Sequence, residues 1–172
     1  MSVSIYDLTV PFFISGLSTL KGVLQKAESY ATEGNIEPGV LLNARLFPDM
    51  FPLVRQVWAC TDTARRGTQR VAGLEPSSVE DNETSFEELY ARIDSTIATL
   101  KEIDVALFEE AETRAFTMNL GQEMHFTGRS FVLGFAQPNF LFHVATAYNI
   151  LRHNGVQIGK RDFIAPFMMA QM

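Results

Sequence analysis

Apolar residues recur at helical spacing in four long stretches of the chain and alternate in one short stretch. Phe13, Leu17, Leu20, Val23 and Leu24 form a stripe that predicts a first helix over residues 6–32. Two starts fit it. Thr9 can serve as N-cap with Pro11 in the first turn, or the helix begins near Ser4 and Pro11 bends it. Residues 38–43 predict a short helical turn, and Leu46-Phe47-Pro48-Asp49 then breaks the pattern. Asp49 is the predicted N-cap of a second long helix, residues 50–71, with Phe51, Val54, Val57, Trp58 and Thr61 facing inward. Arg65, Arg66 and Arg70 fall toward its C-terminal end, where cations suit the helix dipole. The polar residues 73–84 read as a loop. Ser85 and Glu88 form a capping box for a third helix over 86–103, whose stripe is Leu89, Ile93, Ile97 and Leu100. Asp104 caps one further turn through Phe108.

The period changes over 114–127. Phe116, Met118 and Leu120 alternate with polar residues, and Met124 and Phe126 alternate again after Gly121, which predicts a small β-hairpin. Thr127 or Ser130 then caps a fourth long helix that ends before Gly155. Phe131, Phe135, Phe142, Ala145 and Tyr148 are its predicted apolar surface. Residues 156–172 form a tail, first basic and then apolar with Phe163, Phe167, Met168, Met169 and Met172; it covers the bundle, frays or meets a partner. The pattern predicts an all-α protein, one four-helix bundle over residues 1–172 with the hairpin before the last helix and 156–172 as its C-terminal tail.

Composition narrows the function. Lys and Arg number 14 against 20 Asp and Glu, a net charge of −6, so no nucleic-acid partner is expected. The longest charge-free stretch, 130–151, contains Gln137, Asn139, His143 and Asn149, which favours a buried helix with a polar stripe over a membrane span. No basic residue precedes Lys21, so no secretory signal is recognised and a cytoplasmic location is expected. The single cysteine, Cys60, excludes an internal disulfide and any multi-cysteine metal site.

The chain has no glycine-rich phosphate loop, nucleophile elbow or H-E-x-x-H motif. His125 falls in the hairpin, and His153 lies ten residues from His143, about 15 Å along one helix, so the three histidines cannot share an ion. Asn139 and His143 are four apart and project from one helix face. Pro138 removes a donor beside them, and Gly134 tolerates the bend that results. Gln56 on the second helix can meet this face, and Arg55 can pair with Asp49 or Asp62.

Several runs resemble an uncharacterised bacterial and fungal family within the DinB/YfiT-like superfamily. They are Asn43-Ala44-Arg45-Leu46, Pro48-Asp49-Met50-Phe51-Pro52-Leu53, Glu80-Asp81-Asn82-Glu83-Thr84, Pro138-Asn139-Phe140 with Phe142-His143, residues 147–155, and Gly159-Lys160-Arg161-Asp162-Phe163. The resemblance implies an up-down-down-up four-helix bundle and a homodimer. Characterised relatives hold a divalent ion with three histidines, one on helix two and an H-x-x-x-H pair on helix four, and some are thiol-dependent transferases or isomerases. In this chain His143 takes the second place of the pair, Asn139 the first, and Gln56 the helix-two position. One imidazole therefore remains of three.

The favoured expectation is a bundle with a polar pocket between helices two and four that binds a small molecule through Gln56, Asn139, His143, Arg55 and Asp49, with no tightly bound metal. A first alternative is a divalent ion (zinc, nickel or manganese) on His143, with Asn139 and Gln56 in the missing histidines' places, serving a transferase or hydrolase. A second is a dimeric interaction protein.

Overall fold

The computed structural model describes residues 3–169. Its first helix, α1, spans Ile5–Glu33. Ser4 decides between the two possible starts: its hydroxyl accepts from the Asp7 N–H and the Asp7 carboxylate accepts from the Ser4 N–H, a capping box that places Pro11 inside the helix. Phe13, Leu17, Leu20, Val23 and Leu24 are fully buried, as their spacing predicts. The short helix α2 spans Pro38–Leu42.

The next helix, α3, spans Leu53–Val71, three residues shorter than predicted. Asp49 is not its N-cap. The Met50 N–H bonds the Phe47 carbonyl, which closes a turn around Pro48 and Asp49, and Pro52 occupies the cap position in an extended conformation. The cause lies in Pro52, because a residue before proline is pushed out of the helical region and Phe51 cannot begin the helix. Phe51 therefore leaves the inward stripe and is 43% exposed.

Helix α4, Phe86–Glu102, starts at the predicted Ser85–Glu88 box, and Asp104 caps the 3-10 turn Val105–Phe108 by accepting from the Ala106 N–H. The hairpin pairs β1, Ala115–Asn119, with β2, Glu123–Thr127, with Phe116 opposite Phe126 and Met118 opposite Met124. Its apolar face lies on Phe131 and Phe135, so the hairpin gains the helical support that two strands alone lack.

The last long helix runs as α5, Gly128–Phe131, a π-helical turn, Val132–Ala136, and α6, Gln137–His153. Helices α1, α3, α4 and α6 enclose one core. Gly16 sets the closeness of α1 to α6. A Cβ there would overlap the Phe140 ring, so only glycine admits that ring against α1. The tail forms α7, Lys160–Met169, and lies along α1. The Thr19 hydroxyl donates to the Phe163 carbonyl, Phe163 meets Tyr148 edge-on, and Phe167 meets Phe12. Met172 lies outside the described residues. No helix among the described residues is long and apolar enough to cross a membrane.

Candidate functional site

The segment that carries Asn139 and His143 begins with a third capping box, in which Thr127 accepts from the Ser130 N–H. Pro138 then has no N–H to give the carbonyl of Gly134. The backbone absorbs this by widening: the Gln137 N–H reaches back five residues to the Val132 carbonyl. The bend expected at Pro138 is thus a π-helical turn, a feature that recurs at functional sites. The extra residue rotates everything after it by about 100° relative to a uniform α-helix. That rotation sets which α6 side chains face α3.

His143 is buried, and its Nδ1 lies 2.7 Å from Gln56 Oε1. The Gln56 amide nitrogen donates to the Phe51 carbonyl at 2.9 Å, which leaves its oxygen facing the ring. Nδ1 must therefore carry the proton, and Nε2 keeps its lone pair. Nε2 makes no hydrogen bond among the described residues, and it is not among the fully buried atoms that lack a partner. Burial holds the His143 pKa below the ordinary imidazole value. As pH falls, the unfolded chain takes up this proton before the folded one. The stability from this group is full above the unfolded value of about 6.5 and is lost as pH falls from there toward the lowered native value. Nitrogen-detected histidine NMR at neutral pH should show His143 as the Nδ1–H tautomer, titrating below the ordinary range. An Nε2–H signal, or titration above that range, would contradict this geometry.

Asn139 does not join this pair. Its amide nitrogen donates to the Thr63 hydroxyl on α3 at 2.8 Å. Both residues line a pocket of about 180 Å³ with Asp62, Arg66, Gly67, Arg70, Met118, Phe131 and Phe135. One wall comes from α3, a second from the π-helical segment and the start of α6, and the third from the hairpin. Of the five residues singled out in the sequence, only Asn139 lines it. The missed residues carried a readable signal: Thr63, Arg66 and Arg70 stand at i, i+3 and i+7, one face of a helix.

Arg55 has no carboxylate partner among the described residues; its guanidinium lies over the Phe51 ring at 4.0 Å from the centroid. Asp49 is exposed in its turn, away from the helix it was expected to cap. Phe142, predicted as interior, is 56% exposed and stands edge-on against the His143 ring. Cys60 is fully buried, and burial pushes its thiol pKa well up, which disfavours the reactive thiolate.

The donor set can be tested against a divalent ion on this geometry. Gln56 presents its oxygen to Nδ1, on the opposite edge of the imidazole from Nε2, so the two cannot face one ion. Asn139 is turned to Thr63. No three His, Cys, Asp or Glu side chains among the described residues could hold a metal. The residues present do not fit the three-ligand centre that the resemblance implies.

Beside the pocket lies a second polar cluster that the sequence reading also missed. Arg92 on α4 has a side chain only 2% exposed, yet it bonds Asp62 at 3.4 Å, Asp81 at 2.8 Å and Glu83 at 3.0 Å. It also donates to the Thr61 hydroxyl and the Glu80 carbonyl. Arg65, expected as a dipole cation, is instead buried against Asp62 at 2.6 Å and donates to the Ser77 carbonyl. The run Glu80-Asp81-Asn82-Glu83-Thr84 is thus a strap that Arg92 ties to α4, Arg65 holds Ser77 just ahead of it, and Thr84 donates to the Glu88 carboxylate.

Four long helices around one core, with a hairpin before the last, define a DinB-like bundle. The crystal structure of a DinB family member protein from Shewanella denitrificans matches with a TM-score of 0.87 at 40% identity, over 92% of this chain and 90% of that one. The family model described as a domain of unknown function, DUF1993, matches residues 5–164. The chain belongs to that family, and its fold is the DinB-like up-down-down-up bundle that the sequence resemblance implies. No match is found among curated proteins.

Proposed function

We propose that this DUF1993 protein is a small-molecule-binding bundle whose ligand occupies the pocket between α3, the π-helical segment and the hairpin. The observation that carries the reading is the Asn139–Thr63 hydrogen bond at the pocket wall, 2.8 Å long. It leaves the Asn139 carbonyl and the Thr63 proton for a ligand, opposite the apolar Met118, Phe131 and Phe135. A few convergent polar groups in an apolar concavity are what a small-molecule site requires. We read the protein as a cytoplasmic homodimer without a resident metal. Supporting this are the mismatched donor set, the single buried cysteine, and the exposed rings of Phe47, Phe51 and Phe142.

A small-molecule screen by thermal shift and ligand-observed NMR tests the site, with Asn139→Leu as control. Ligands of the wild-type chain should lose about tenfold or more in affinity in that variant. Hits that bind the variant equally well would move the site elsewhere. The same untagged, chelator-free sample should contain no stoichiometric zinc, nickel or manganese, and light scattering should give a dimer mass. Near-stoichiometric metal that disappears in His143→Ala would overturn the metal-free reading.

A further inference from the structure

The pocket's charge identifies a ligand class, and the inference rests on the pocket being the binding site. Four arginines, three on α3 and one on α4, lie close together, and their carboxylates are unevenly shared. Arg65 and Arg92 are buried and take Asp62, Asp81 and Glu83 at 2.6–3.4 Å. Arg66 has only a remote share of Asp62, at 3.9 Å. Arg70 forms no salt bridge among the described residues, and its guanidinium sits 5.8 Å from the centre of the Phe116 ring.

Arg66 and Arg70 are one turn apart on α3, and both line the pocket. They are like charges on one helix face, which is destabilising until an anion sits between them. Arg70 is also half-buried, and burial followed by the charge of Arg66 holds its pKa below the ordinary value, with the charge of Glu75 opposing them only in part. In a chain of net charge −6, this is a local excess of positive charge at the mouth of a concavity. Guanidinium groups match the planar geometry of a carboxylate through paired N–H donors.

The other walls limit the anion. Met118, Phe131 and Phe135 present apolar surface, so the ligand carries an apolar body. Asp62 also lines the pocket, and its carboxylate opposes a dianion more strongly than a monoanion. A phosphate monoester is disfavoured for that reason. We infer that the pocket binds a small organic monocarboxylate, its carboxylate on Arg66 and Arg70 and its hydrocarbon part against Phe131, Phe135 and Met118.

Calorimetry and ligand-observed NMR on the full chain test this with benzoate, phenylacetate and hexanoate, each against its own primary amide. Carboxylates should bind about tenfold or more tightly than their amides, and Arg70→Gln should weaken the carboxylates more than the amides, shrinking that preference. Arg66→Gln, an exposed position, should weaken carboxylate binding in the same direction and guards against a folding defect in the first variant. Carboxylate binding should also fall with added salt. Amides that bind as tightly as the acids, or carboxylate affinities unchanged in both variants, would overturn the inference. If Asn139→Leu still abolished binding in that case, the pocket would stand and only its anion preference would fall. Absence of binding by every acid at millimolar concentration would also overturn it, leaving the wider screen to judge the pocket.

Discussion

Replacing Phe140 by alanine is expected to destabilise the protein by about 3–5 kcal/mol, the range for a fully buried phenylalanine. The ring has no exposed surface and meets Phe13 edge-on with centroids 4.9 Å apart. It also reaches Phe12 at 6.1 Å and fills the notch that Gly16 leaves in α1. Truncation would empty a space bordered by two helices that already approach closely. The lining is aromatic and backbone, so it relaxes only in part. In urea the midpoint should fall with the slope unchanged, because the surface exposed on unfolding is nearly the same. Helix α6 also carries Asn139 and His143, so residual folded protein should show weakened ligand binding. A loss below about 1 kcal/mol would mean that the bundle closes over the gap and that the Gly16 notch is not a fixed contact.

The second large effect is expected at Arg92. Its replacement by leucine should cost about 3 kcal/mol, the lower end of the range for breaking a buried ion pair. The lower end applies because Asp81 and Asp62 still reach water and can be hydrated once the guanidinium is gone. Glu83 is the costly member, since its side chain is only 10% exposed and would be left beside an apolar side chain without a counter-charge. The strap over residues 73–84 should also loosen, and limited proteolysis should cut there in the variant before the wild type. The surface pair Lys21–Asp94, at 2.6 Å, gives the contrast: breaking it should cost at most about 1 kcal/mol. Equal effects at the two sites would show that burial adds nothing to the Arg92 network.

Much of the bundle was legible because its signals are local. The Ser85–Glu88 box, the Asp104 cap and the Phe116/Met118 alternation each depend on residues within a few positions of one another. The failures arise where a further feature overrides the local signal. Asp49 has the residue type of an N-cap, but Pro52, three residues on, governs where the helix can start. A uniform helical period places Phe142 inward, but the π turn rotates the residues that follow Val132–Ala136. The Gln56–His143 contact was anticipated from helix pairing, and the structure has it at 2.7 Å. Spacing alone groups Asn139 with it, but the side chain pairs with Thr63 instead.

What the chain determined by itself is the four long helices, the hairpin and most of the hydrophobic stripes. Periodicity, caps and turn residues act over one or two turns, so one sequence carries them. The tertiary structure decided which polar side chains meet. Arg65 and Arg70 are five residues apart and both cationic, yet one is sealed against Asp62 and Ser77 while the other opens onto a pocket. Helical position separates their directions by about 140°, but only the packing of α4, the strap and the hairpin gives those directions different surroundings. Charge pairing depends on distances between elements, and those distances exist only after the bundle has closed.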